Sequence, residues 1–233
     1  MSELVGPLPF YDRWVAENLP YTDDPYTNEV WTINGQHGVG RTTVSSYLQQ
    51  WIEADGFEVA RYSPAADIIE TNKLDPQDDA GLRPMETNRA YDVRMAVEMV
   101  HPKNQGKLVL IHGRLGGTIG RELQIAADKS SKVDRLPANI HNVLLWASED
   151  FRSEKLSEQG LPDASRYEER DRMNFGYVNF DSNSPYSPAH VDSLGNPVYD
   201  YSFKSPMYSP LEMARQIWFK ISQQSLPNLA RIA

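Results

Sequence analysis

The stretch that decides the fold of this chain is Gly35-Gln36-His37-Gly38-Val39-Gly40-Arg41-Thr42. A short β-prone run, Val30 to Ile33, precedes it. After it, apolar residues recur at the spacing of one helical face: Val44, Tyr47, Leu48, Trp51 and Ile52. The sequence therefore predicts a strand, a glycine-rich turn and an amphipathic helix that ends near Gly56, a residue suited to a helix C-cap.

This turn fits the phosphate-binding pattern G-x-x-x-x-G-K-[ST], with Arg41 in place of Lys. Glycines let backbone N–H groups turn toward a phosphate, and the helix N-terminus adds the positive end of its dipole. Arg41 would neutralise the terminal phosphates of ATP, and the hydroxyl of Thr42 would bind Mg²⁺. The predicted nucleotide site comprises Gly35, Gln36, His37, Gly38, Val39, Gly40, Arg41, Thr42 and Thr43, with His37 as a lining side chain. The alternative is a glycine-rich turn that only connects strand and helix.

The composition narrows the ligands that this chain would bind. The chain has 233 residues, a net charge of −9 and no cysteine. An acidic chain disfavours nucleic acid as a partner, and the absence of cysteine excludes a disulfide framework. The first fifteen residues do not resemble a signal peptide, and no apolar run approaches the ~20 residues that span a bilayer. We therefore expect a cytoplasmic protein with small-molecule nucleotides as ligands and no membrane partner.

Strands and helices alternate along the rest of the chain. Residues 1–28 show no clear period and are interpreted as an irregular N-terminal extension that is able to pack on the domain. Residues 179–197 are interpreted as a long loop. Further strands are predicted at 57–60, 107–111, 142–146 and 198–203, and helices within 63–100, from Ser148 and from the capping box that begins at Ser209. This alternation favours an α/β fold with a parallel sheet.

From Val30 to the last helix the chain resembles the cytidylate kinase family, particularly its archaeal type. Four segments carry the resemblance, and they occur in the family's order: Gly35–Val44, Arg89–Arg94, Leu110–Gly117 and Val143–Lys155. Two weaker segments follow, Glu169–Arg172 and a stretch running from Tyr199 to Glu212. The resemblance implies a three-layer P-loop kinase fold over residues 29–233, with a mostly parallel five-stranded sheet flanked by helices. A small helical lid would span about 149–178.

The resemblance also implies roles for individual arginines. Arg114 would bind the phosphate of an acceptor such as CMP or dCMP, Arg89 would contact its base, and Arg94 would lie near the same pocket. Arg170 and Arg172 would close over the phosphoryl group during transfer, together with Arg41. Positioned positive charge is what phosphoryl transfer requires on general grounds.

Two residues depart from the family's pattern. Arg41 replaces the usual Lys, and Glu70 stands where the family commonly has an Arg. A carboxylate at position 70 would repel an acceptor phosphate. Three hypotheses therefore stay open: a nucleoside monophosphate kinase, a P-loop kinase for another small metabolite, and a nucleotide-binding pseudokinase with a regulatory role.

Overall fold

The computed structural model describes residue 15 and residues 27–64, 85–113, 116–130, 136–161, 163–165 and 196–229, with side chains except at 85–92 and 116. Five strands are found: β1 (Asn28–Gly35), β2 (Val59–Tyr62), β3 (Leu108–Gly113), β4 (Ala138–Ala147) and β5 (Tyr201–Ser205). The main helices in these ranges are α1 (Arg41–Ala54), α2 (Met85–Val100), α3 (Gly116–Lys129), α4 (Glu149–Glu158) and α5 (Pro210–Gln224).

The five strands form one sheet in the order β2-β3-β1-β4-β5, and every neighbouring pair is parallel. This confirms the predicted five-stranded α/β architecture. β3 is buried along its whole length, as expected for a strand of a parallel sheet that is covered on both faces. Because all strands run the same way, their carboxyl ends meet at one edge, where ligands of open α/β sheets bind.

Each face of the sheet carries its own apolar cluster. On one face, Trp31, Ile33, Leu108 and Leu110 pack with residues of α1 and α5. On the other face, residues of α2 and α3 pack against alternate residues of the same strands. The result is a three-layer arrangement, and the P-loop helix α1 belongs to the first of these faces.

Some element boundaries differ from the predicted ones. β2 lies two residues later than the predicted 57–60, and β5 begins at Tyr201 and not at Val198. The helix α3 was not placed by the sequence analysis, because its first turn contains Gly116 and Gly117, which disfavour helix formation. Of the predicted helical range 63–100, the part 65–84 lies outside the described residues, as does most of the loop 179–197.

Helix starts agree with the capping signals in the sequence. Ser209 accepts a hydrogen bond from the backbone N–H of Glu212, whose carboxylate accepts one from Ser209 N–H in return. Ser148 caps α4 through the N–H of Phe151. None of the described helices combines the length and the apolar character needed to cross a membrane.

Candidate functional site

The predicted phosphate-binding loop connects the end of β1 to the start of α1. Gly40 is the N-cap of α1 and has a left-handed backbone with φ of 87°. It provides no capping side chain, and the first turn of α1 contains no acidic residue. The positive end of the helix dipole at this turn therefore meets no acidic side chain of its own helix, and it favours a bound anion.

Two residues of the loop, Gln36 and Val39, are buried. Val39 is buried in the cluster formed with α1 and α5, and Gln36 is 5% exposed. The Oε1 atom of Gln36 is buried and has no hydrogen-bond partner among the described residues. An amide oxygen accepts hydrogen bonds, so a ligand could satisfy this atom only with a donor group and not with a phosphate oxygen.

Gly38 brings the loop against the backbone of α4. A Cβ atom added at Gly38 would lie 2.9 Å from the carbonyl oxygen of Arg152, which is closer than real Cβ contacts allow. Arg152 is itself 3% exposed, so this part of α4 is packed closely beneath the loop. Sequence analysis gave Arg152 no role, although it stands in the acidic-then-Arg stretch that carries part of the resemblance.

A second set of polar side chains lies at the carboxyl end of β3, the strand beside β1. His112 is 6% exposed, and its Nε2 accepts a hydrogen bond from Arg61 Nε–H at 3.2 Å. Arg61 also donates from Nη1 to Oε1 of Gln49 in α1, at 3.2 Å. Burial, followed by the charges of Arg61 and Arg41, lowers the pKa of His112 to about 3, so the imidazole is neutral.

A buried polar seam fixes the start of α3 relative to the P-loop strand. The side-chain oxygen of Asn34 accepts from the N–H of Gly117 at 2.9 Å, and its amide donates to the carbonyl of Val143. Thr32 and Asn142 extend this seam through a hydrogen bond of 2.7 Å. The seam holds the start of α3 against the end of β1, at the carboxyl edge of the sheet.

The structure describes only some of the predicted site residues. Arg41, Thr42 and Thr43 form the first turn of α1, where Arg41 is half-buried and the two threonines are exposed. Arg94 is exposed on α2, with its guanidinium 5.1 Å from the ring centre of Tyr62, the last residue of β2. Arg89 is described only in its backbone, and four further residues lie outside the described ranges: Glu70, Arg114, Arg170 and Arg172. Their predicted roles stay predictions.

In the usual P-loop magnesium site, a loop hydroxyl and an aspartate from elsewhere in the chain hold the ion. Thr42 supplies the hydroxyl. At the end of β3, however, the chain has His112, whose Nε2 lone pair is engaged by Arg61. Within the described ranges, no three His, Cys, Asp or Glu side chains are grouped to hold a metal. These residues do not fit a magnesium site of protein oxygens.

Comparisons with known proteins were made at the levels of sequence and of structure. No family model and no curated protein matches the sequence. Solved structures do match. A sugar kinase from Janibacter sp. HTCC2649 aligns with a TM-score of 0.54 and 13% identity, over 88% of this chain and 99% of that one.

The APS kinase of Mycobacterium tuberculosis, in complex with AMPPNP and APS, aligns with a TM-score of 0.51 and 12% identity, over 86% of this chain and 100% of that one. A gluconokinase from Sinorhizobium meliloti 1021 aligns with a TM-score of 0.50 and 11% identity, over 86% and 98%. The chain has the P-loop kinase fold. At such identities the P-loop kinase fold alone is shared, and the substrates of these proteins are their own.

Proposed function

We propose that this protein transfers a phosphoryl group from a nucleoside triphosphate to a small-molecule acceptor. The observation that carries the proposal is the loop between β1 and α1. It combines a left-handed Gly40, a first helical turn without acidic residues, and Arg41 at the first position of the helix. These features together favour a bound polyphosphate.

The triphosphate would lie along this loop, with its base toward the turn between β5 and α5. Pro210 at the start of α5 is close to the loop, because a Cβ added at Gly40 would meet its ring at 3.3 Å. In the same turn Met207 is 66% exposed and Tyr208 is 38% exposed. Exposed apolar and aromatic side chains beside a phosphate site provide a surface on which a base can stack.

The finer proposal is that the acceptor is a nucleoside monophosphate such as CMP or dCMP. It is supported by the resemblance to cytidylate kinases, and it assigns the acceptor to Arg89, Arg94 and Arg114, with Arg41, Arg170 and Arg172 acting on the transferred group. The competing proposal is that the protein transfers the phosphoryl group to another small metabolite. It is favoured by the shared fold with kinases named for a sugar, APS and gluconate.

Binding is the first test of this proposal. ATP and AMP would be titrated into the wild type and into Arg41→Ala by calorimetry. We expect Arg41→Ala to weaken ATP at least ~10-fold and AMP much less, because a charge-assisted contact to a terminal phosphate is lost. Equal ATP affinity in the two proteins would contradict the assignment of the donor site.

Transfer is the second test. Wild type and Arg41→Lys would be assayed with ATP and Mg²⁺ against CMP, dCMP, gluconate and APS, with detection of ADP and of the phosphorylated acceptor. Turnover of CMP or dCMP supports the finer proposal, and turnover of another acceptor supports the competing one. ATP binding without turnover of any acceptor in a wide screen would favour a regulatory nucleotide-binding protein.

A further inference from the structure

The carboxyl end of β3 faces the P-loop helix. Leu108 and Leu110 of this strand pack into the cluster formed with α1 and α5. Side chains alternate along a strand, so His112 lies on that same face. In the sheet register His112 is aligned with Ile33, two residues before Gly35 and the loop. It therefore lies near the carboxyl edge of the sheet, beside the strand that leads into the loop.

Arg61 shares this face and is fixed in place. It is aligned with Leu110 in the register of β2 and β3, so on the neighbouring edge strand it lies two residues before the level of His112. Its guanidinium spans the gap, donating to His112 Nε2 and to Gln49 Oε1, both at 3.2 Å. A guanidinium held at two atoms by strand and helix is positioned in advance of any ligand, which reduces the entropic cost of using it.

The ring nitrogens of His112 have defined roles in this arrangement. Because the ring is neutral and Nε2 accepts a hydrogen bond, its proton must lie on Nδ1. The imidazole thus offers an N–H donor and has its acceptor nitrogen occupied. A donor that contacts Arg61 and feels the positive charge of Arg41 disfavours a metal cation and attracts an anion, which is the reverse of what a carboxylate at this position would do.

We propose that this phosphate site prefers a metal-free polyphosphate, with Arg61 and His112 supplying the positive potential and hydrogen bonding that a magnesium ion and its carboxylate supply elsewhere. The inference rests on the proposed function, since it concerns the same nucleotide site. Mg²⁺ cancels part of the negative charge of ATP and occupies its phosphate oxygens, so the ion competes with these side chains for the ligand.

The test is a pair of calorimetric titrations of the full chain with ATP, one in EDTA and one in excess MgCl₂, at the same ionic strength. We expect the wild type to bind ATP in EDTA about three- to tenfold more tightly than in MgCl₂. Tighter binding in MgCl₂ overturns the inference and leaves the proposed function standing. Absence of binding in both buffers refutes the proposed function itself.

Variants of His112 test whether this residue sets the preference for metal-free ATP. His112→Asp places a carboxylate beside Arg61, with which it can form an ion pair, and should move the affinity ratio by about tenfold toward the magnesium form. His112→Asn is its matched neutral control and should keep a ratio close to that of the wild type. Circular dichroism confirms that each variant is folded. A ratio that is unchanged in a folded His112→Asp protein overturns the role of His112.

A second pair of variants distinguishes the effect of the Arg61 charge at the site from the effect of the net charge of the protein. Arg61→Ala should remove most of the preference for the metal-free nucleotide. Lys107→Ala removes one positive charge just before the amino end of β3, where Lys107 lies 3.2 Å from Glu58, and should leave the ratio unchanged. Equal changes in Arg61→Ala and Lys107→Ala would show that net charge and not this site sets the preference, and would overturn the inference.

Discussion

One residue of the phosphate-binding loop, Gly38, makes a contact that only glycine permits. Gly38 has φ of 79°, and its α-carbon faces the backbone of Arg152. Gly106 has the same φ of 79°, with nothing within 4 Å of an added Cβ. The two glycines share a backbone conformation and differ in their surroundings, so they form a matched pair for measuring the contact.

We predict that Gly38→Ala destabilises the protein more than Gly106→Ala does. The left-handed backbone should cost each variant about 1–2 kcal/mol. Gly38→Ala must also displace the carbonyl of Arg152, which should add about 1–3 kcal/mol. Urea unfolding of both variants measures the difference. Equal losses would mean that the loop and α4 do not make this close contact.

The loop could be predicted from the sequence, whereas the cluster at the end of β3 could not. The glycine spacing, the preceding strand and the following helix are contiguous, so a local pattern contains them. The pairing of Arg61 with His112 joins residues 51 positions apart and depends on the register between β2 and β3. What the sequence does contain is the apolar run of β3, which ends in the polar residue His112.

At the level of whole elements, strong local signals gave the correct boundaries. The capping box at Ser209 satisfies the N-terminal N–H groups of α5 from within the same segment, so no tertiary information is needed. α3 shows the opposite case. Its apolar face, which includes Ile119, Leu123 and Ala126, has helical spacing, but its two initial glycines are typical of a turn. Packing on the sheet overrides that unfavourable start.

The two helix caps differ in completeness, and we predict that stability reflects this. Ser209→Ala removes two side-chain hydrogen bonds, one accepted from Glu212 N–H at 3.3 Å and one donated to the Glu212 carboxylate at 2.8 Å, and should cost about 1 kcal/mol. Ser148→Ala removes a single hydrogen bond of 3.4 Å and should cost less. Thermal unfolding of both variants at neutral pH compares them directly. A larger loss for Ser148→Ala would contradict the prediction.

The cap of α5 should also depend on pH. Hydrogen bonds from Ser209 lower the pKa of Glu212 below its usual value. A carboxyl with a lowered folded-state pKa stabilises the fold above its unfolded-state pKa, and this contribution is lost as pH falls through the folded-state value. The difference in stability between wild type and Ser209→Ala should therefore shrink below about pH 4.5. A constant difference down to pH 3 would argue against the carboxylate's part in the cap.

For the whole molecule, the two faces of the sheet were not equally predictable. The face covered by α1 and α5 follows from contiguous helical patterns. The opposite face includes Val15, which is fully buried among residues of α2, α3 and the strands. The sequence indicated an irregular extension able to pack on the domain, but neither the residue nor the face involved. A single apolar residue in a stretch without periodicity carries no local signal of its burial, because its partners lie far away in the chain.

The packing of Val15 gives the last prediction. Val15→Ala removes two methyl groups from a fully buried position and should lower the free energy of unfolding by about 2 kcal/mol, counting both transfer and cavity costs. Val97→Ala is the matched control, because Val97 packs against the same cluster and is only partly buried. Val97→Ala should lower the free energy of unfolding by less, because a partly buried side chain buries less apolar area on folding. Urea unfolding at neutral pH measures both variants. If Val15→Ala leaves stability unchanged while Val97→Ala lowers it, the N-terminal segment does not belong to the folded core, and the α2–α3 face is closed without it.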